Sequence, residues 1–353
     1  MKITRNLVLA LAALAVLVPA IALTGCAKKV AKAPAIKVGL VTDVGGIDDK
    51  SFNQGTWEGV KRFGTENGLK EGEGVKYLQS NADADYIPNL SAFADQKMDL
   101  IIAPGFLFNE AMAKVAAQYP QQKLMIIDSV VADKDGKNIP NVANAVFAAN
   151  EGSFLAGVAA GLKAKADKKN TIGFVGGMQF PLIENFQVGF EQGVKAVFPE
   201  AKILVDYTGS FTDAGLGQAM AAKQYGAGAY IIFQVAGGSG NGVIKEAKER
   251  SAKGDIRWAI GVDKDQYADG VYADGKSAIL TSMMKRVDVA AHDVAVMTRD
   301  GKFPGGQVLV FDLKSKGVGL PEKNPNLSDD IVKAIADYTT QITGGTLKVA
   351  SKG

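Results

Sequence analysis

The sequence predicts an α/β protein of two lobes, each a parallel β-sheet flanked by helices, behind an N-terminal export segment. Short β-branched runs alternate with longer amphipathic runs along the whole body, which is the pattern of strands joined by helical crossovers. The same beat occurs in both halves, with no solenoid repeat. Removing an export segment of 25 residues leaves 328, enough for two lobes of ordinary size.

The export segment is read first. Lys2 and Arg5 precede an uncharged apolar run over residues 7–23, which closes on Leu23, Thr24, Gly25 and Cys26. A positive start, a short apolar stretch and small residues before a cysteine make a lipoprotein signal peptide over residues 1–25. A membrane-spanning helix fits less well, because the run is short and contains Pro19. Cys26 is the sole cysteine, so lipidation there would consume it and exclude a disulfide, a zinc–thiolate site and a cysteine nucleophile. Residues 26–35, rich in Ala and Lys, read as a lipidated tether holding the body at the extracytoplasmic side of the cell membrane.

Without residues 1–25 the chain carries 38 basic and 37 acidic residues. A nearly neutral body argues against nucleic-acid binding, and the basic cluster Lys28, Lys29 and Lys32 sits in the tether, where it would meet anionic headgroups.

Along the body, strands are expected at 36–42, 75–79, 100–103, 124–128, 142–147, 171–175, 203–207, 229–234, 258–262 and 278–281. Helices are expected at 52–67, 109–118, 151–166, 184–197, 216–225, 242–251, 287–299 and 329–343. In open α/β sheets ligands lie beyond the carboxyl ends of the strands, so polar residues there are the candidates. Asp43, Asp128 and Asp263 each follow a strand run, and the run at 229–234 leads into a glycine loop, Ala236 to Asn241. Each Asp alone could be a helix cap or turn residue; their convergence on one edge favours a site. Carboxylates in a partly dry cleft need hydrogen-bond donors, which vicinal hydroxyls supply without charge. The glycine loop fails both phosphate motifs: Val243 and Ile244 stand where a Walker loop needs Lys and Ser or Thr, and the dinucleotide spacing is absent.

Catalysis is not expected. A nucleoside hydrolase would want clustered aspartates, but the Asp48–Asp49 pair lacks calcium-loop spacing, and His292, the lone histidine, lies on an apolar helical run. No nucleophile elbow or zinc signature occurs, and no metal or cofactor is required.

Asp43 to Asn53 reads Asp-Val-Gly-Gly-Ile-Asp-Asp-Lys-Ser-Phe-Asn, followed by Gln54, Trp57 and Gly59. Further blocks follow in order: Glu151 to Gly157; Gly173 to Met178 with Pro181, Ile183, Phe186, Gly189 and Phe190; Ala236 to Gly240; Gly261 to Asp263 with Asp265 and Gln266; and Thr281, Ser282 and Lys285. Over essentially the whole mature body this resembles the basic membrane protein family of lipoproteins, nucleoside-binding subunits of ABC importers.

The resemblance implies a two-lobed periplasmic-binding-protein-like fold of type I, with several hinge crossovers. The first lobe would take residues 36–147 plus about 277–308, and the second 148–276 plus about 309–353. It implies a nucleoside, purine by preference, sandwiched between Phe52 and Phe186, with Phe180 as an alternative second ring. Asp43, Asn53 and Asp128 are candidates for the base edge, and Gly238, Asp263 and Lys285 for the ribose. It further implies a monomer delivering ligand to permease and ATPase subunits, and several acyl chains on Cys26, since one alone anchors weakly. Another small solute such as a sugar, and a second role as an adhesin, stay open.

Overall fold

The structure, a computed structural model, describes residues 35–352. The expected signal peptide, Cys26 and the tether as far as residue 34 lie outside them. Pro34–Gly353 form one compact unit.

The elements follow the strand–helix beat: β1 Val38–Val41, α1 Phe52–Glu66, β2 Val75–Leu78, α2 Tyr86–Asp95, β3 Leu100–Pro104, α3 Asn109–Gln118, β4 Leu124–Ile127 and β5 Val142–Phe147. The second half continues with α4 Ala149–Ala166, β6 Thr171–Gly176, α5 Pro181–Val197, β7 Lys202–Tyr207, α6 Ala214–Gly226, β8 Ile231–Val235, α7 Gly240–Ala252 and β9 Trp258–Asp263. A short hairpin, β10 Val271–Ala273 and β11 Lys276–Ser277, precedes β12 Ile279–Lys285, α8 Val287–Arg299, β13 Val308–Phe311, β14 Val318–Gly319 and α9 Asp329–Thr343.

Two six-stranded sheets result. The first runs β13-β5-β4-β3-β1-β2 and is parallel throughout. The second runs β14-β12-β9-β8-β6-β7 and is parallel except for the edge strand β14. Helices on both faces leave the central strands no solvated side, so β1, β3, β4, β6 and β8 are buried along their whole length. That is why these segments read as continuous Val, Ile and Leu runs instead of alternating ones. Packing of α1 on α8 covers the first sheet, whereas α4, α5 and α9 pack together against the second. Glycines make the α4–α5 contact close: a Cβ on Gly189 would stand 2.7 Å from Asn150 Cα.

The chain crosses between sheets after Phe147, after Lys285 and after Phe311. This corrects the expected lobe boundaries in two places. β12 pairs with β9, so residues 279–285 stay in the second sheet and the return to the first begins after Lys285, not near 277. β13, not foreseen as a strand, pairs with β5 and holds residues 308–311 in the first sheet. Its side chains alternate between exposed and half-buried, so no continuous apolar run announces it. α2 was also missed: Pro88 sits inside its first turn, although Tyr86, Leu90, Phe93 and Ala94 form its buried stripe.

Candidate functional site

The carboxyl ends of the two sheets face each other across a cleft whose free space, open mouth included, is about 650 Å³. Each of Asp43, Phe52, Asn53, Asp128, Phe186, Gly238, Asp263 and Lys285 lines it. So do Asp49, Gly105, Phe106, Leu182 and Phe211, which the sequence reading did not select.

Two strand-end carboxylates stand on left-handed backbone: Asp128 follows β4 at φ 62° and Asp263 ends β9 at φ 66°. Asp tolerates that region better than most residues, and such geometry persists only where surrounding structure imposes it. The turn turns each carboxylate out of its sheet and toward Lys285, the last residue of β12. The ammonium is buried at 4 % side-chain exposure, forms an ion pair with Asp128 and lies 3.7 Å from Asp263. Burial opposes its charge, but the two carboxylates outweigh that and hold Lys285 above its usual range. For Asp128 burial dominates and pushes the carboxyl up, against the pull of Lys285. Asp128 Oδ1 is buried with no hydrogen-bond partner. The rings of Phe52, Phe147 and Phe186 surround the same ammonium at 4.4, 5.5 and 5.6 Å from their centroids.

On the first lobe, the loop from Asp43 to Ser51 forms the opposite wall. Asp49 caps α1, accepting from the backbone amides of Asn53 at 2.8 Å and Gln54 at 3.1 Å. The conspicuous Asp48–Asp49 pair thus contains a helix cap, the reading that fits two orphan N–H groups at a helix start. Asn53 donates to Asp43 at 2.7 Å and to Asp49 at 3.0 Å, and its own oxygen accepts from the Asp43 amide at 3.1 Å. Its side chain is therefore fully engaged in orienting Asp43. Burial pushes the Asp43 carboxyl up to about 6, with Asn53 and the Gly45 amide pulling the other way. Gly105, at φ 112°, makes a turn closed to residues with a Cβ, and a Cβ there would stand 3.5 Å from both Asp43 Oδ2 and the Phe52 ring.

The aromatic residues divide by exposure. Phe186, on α5, is 1 % exposed, packs in the hydrophobic core and also lines the cavity. Phe180 lies at the rim, 36 % exposed, with its ring 4.9 Å from Phe106 of the first lobe. Phe211, between β7 and α6, lines the cavity while only half-buried, and its carbonyl accepts from the Ser239 amide of the glycine loop at 3.2 Å. A loop aromatic in Ser-Phe-Thr-Asp carries no periodic signal, and only its approach to the glycine loop reveals it.

The lobes touch directly. Ser51 donates its hydroxyl hydrogen bond to Asp263, Asn241 reaches the Asp49 carbonyl at 3.1 Å, and Lys264 bonds Gln54 at 3.0 Å and Glu58 at 2.8 Å. The cleft is closed. No cluster of His, Cys, Asp and Glu able to hold a metal ion occurs among the described residues.

Residues 36–352 match the family model described as ABC transporter substrate-binding protein PnrA-like. The chain belongs to this family. It is 42% identical over 324 residues to the ABC transporter nucleoside-binding protein BmpA of Lactococcus lactis, covering 90% of each chain. It is 33% identical over 311 residues to basic membrane protein A of Borreliella afzelii, covering 87% of this chain and 89% of that one. Among solved structures it resembles an ABC transporter solute-binding protein of Aeropyrum pernix, with TM-score 0.78, 27% identity and coverage of 90% and 93%. The family's two-lobed solute-binding architecture accounts for the paired sheets and the cleft between them. No helix of the described residues is long and apolar enough to cross a membrane.

Proposed function

We propose that this substrate-binding protein captures nucleosides, purine nucleosides by preference, in the interlobe cavity and delivers them to an ABC permease, anchored to the membrane by lipid on Cys26. The observation that carries the reading is one cavity lined by Phe52 of the first lobe and Phe211 of the second together with the strand-end carboxylates Asp43, Asp128 and Asp263. Phe52 from the first lobe and Phe211 from the second hold the base, Phe211 taking the stacking role because Phe186 keeps its ring in the core and steadies Lys285. Asp43, oriented by Asn53, accepts from base N–H groups; Asp128, expected at the base edge, moves to the ribose side because it shares Lys285 with Asp263, and both carboxylates, with Lys285 and the Gly238 backbone, meet the ribose hydroxyls.

The magnitudes fit a micromolar ligand. Each stacked ring contributes about 1–3 kcal/mol, by analogy with readers of single-stranded nucleic acid. Each hydroxyl bonded to a carboxylate adds about 1.5–3 kcal/mol. These offset the cost of association and leave about 8 kcal/mol. The contacts with both lobes exist only when the cleft is shut, so ligand shifts the equilibrium toward the shape a permease reads.

Calorimetric titration of the unit Pro34–Gly353 with inosine, guanosine, adenosine, cytidine and ribose tests this. Heat with nucleosides but not ribose, weakened in Asp263→Ala and Phe52→Ala, is expected; absence of heat with every nucleoside moves the ligand to another solute class.

A further inference from the structure

The Asp265–Gln266 pair stands out in the sequence, yet the site as described gives it no role. Gln266 lies between β9 and β10 and is 0 % exposed. Its orientation is fixed by a donor that cannot accept: the Val262 backbone amide donates to Gln266 Oε1 at 3.0 Å. The same logic fixes Gln234 on β8, also 0 % exposed, whose Oε1 takes the Ala236 amide at 3.2 Å. Gln234 Nε2 must then point the other way, and it donates to Gln266 Oε1 at 2.8 Å. Gln266 Nε2 is left facing the first lobe, where it donates to the Lys50 carbonyl at 3.1 Å.

The two ends of this chain each adjoin a residue that lines the cavity, Gly237 at one end and Asp49 at the other. Ala236 opens the glycine loop that contains Gly237 and Gly238. Lys50 sits at φ 57° between Asp49, which caps α1, and Ser51, which bonds Asp263. A row of amides with every polarity set thus runs from the second-lobe wall to the first-lobe loop that carries Phe52. Only its last bond crosses between lobes.

We propose that Gln234 and Gln266 form a closure relay in which Gln266 is the positioning residue. The relay holds the loop at Lys50 in register with the glycine loop when the lobes shut, and so sets the closed fraction and the residence time of the ligand. Within the relay, opening breaks only the Gln266–Lys50 bond, which adds a directional, ligand-independent contact to the Ser51–Asp263, Asn241–Asp49 and Lys264–Gln54 bonds between the lobes. The inference rests on the reading of the cavity as the ligand site.

The test uses the unit Pro34–Gly353, which contains no cysteine, with one spin label on each lobe at Lys70→Cys and Lys253→Cys, both exposed positions. Gln266→Glu keeps an acceptor for Val262 but turns a second acceptor toward the Lys50 carbonyl; Gln266→Met removes both groups at similar volume. Both variants are expected to shift the ligand-free distance distribution toward the open separation. They are also expected to raise the dissociation rate of bound inosine about three- to tenfold, the worth of one hydrogen bond, without changing the association rate. A purely structural role lowers the melting temperature and leaves the distribution where it was, and that result overturns the relay. The distance arm needs no ligand, so failure of the wild-type unit to bind inosine counts against the nucleoside reading and not against the relay. Should both variants fail to fold, the wild-type chain decides by nuclear magnetic resonance. The Gln266 side-chain amide protons must then be protected from exchange in the closed state, and rapid exchange there refutes the proposal.

Discussion

Lys285 offers the sharpest test of the site's electrostatics. Replacing it with Met removes the cation that neutralises Asp128, whose side chain is 4 % exposed, and leaves a buried carboxylate facing the Asp263 carboxylate. Breaking a buried pair from one side costs about 3–5 kcal/mol. With a urea slope of about 3 kcal/mol per molar, the unfolding midpoint should fall by about 1–1.7 M at pH 8. The loss has a definite pH dependence. Burial already raises the folded-state pKa of Asp128, and loss of Lys285 raises it further, while the unfolded value stays near 3.8. A carboxyl with a raised folded pKa costs most stability above that pKa, and the cost shrinks as the pH falls toward the unfolded value, so the gap between variant and wild type should narrow as the pH falls from 8 to 5. The double variant Asp128→Asn with Lys285→Met removes both charges and should recover most of the difference. Urea unfolding at the two pH values, for the wild type, the single and the double variant, reads all of this. An equal loss at both pH values, or a double variant no more stable than Lys285→Met, would show that the cavity does not hold Asp128 ionised against its burial.

Three further outcomes follow from the same geometry. With its folded carboxyl at about 6, Asp43 should make nucleoside affinity flat above pH 7 and declining below 6 as the acceptor protonates, and calorimetry in buffers of different ionisation enthalpy should show proton release near pH 6; flat affinity from 8 to 5 would remove Asp43 from the base edge. Phe211→Ala should weaken nucleoside binding by about 1–3 kcal/mol with little loss of stability, whereas Phe186→Ala should cost about 3–5 kcal/mol of folding free energy; thermal melts and titration together separate the two, and reversed roles would restore Phe186 as the stacking ring. The Phe106–Phe180 pair spans the cleft mouth, so Phe180→Leu should speed ligand association and dissociation together while changing Kd less than threefold in stopped-flow traces; a pure dissociation effect would make Phe180 a direct ligand contact.

The α/β class was legible because buried parallel strands must be apolar on both faces, a demand visible in the runs at 36–42, 100–103 and 124–128. Asp43, Asp128 and Asp263 could be picked out because a ligand edge in such sheets lies at the strand carboxyl ends, and they close the runs that begin at 36, 124 and 258. Lys285 was visible as a residue type in a family pattern, but its placement at the end of a strand was not: β12 continues past Thr281 through Met283 and Met284, residues with no strong strand preference.

What the chain alone determined, then, was local: which segments are strands and helices, and which polar residues end them. Pairing across the sheets was decided by tertiary structure, because a short edge strand such as β13 draws its order from β5 and not from its own four residues. The same holds for the second ring. Phe186 is buried because α5 packs onto the second sheet, whereas Phe211 lies half-buried in the loop between β7 and α6. The relay through Gln234 and Gln266 lay furthest from view, since the direction of a side-chain amide is fixed only by the backbone donors that surround it in three dimensions.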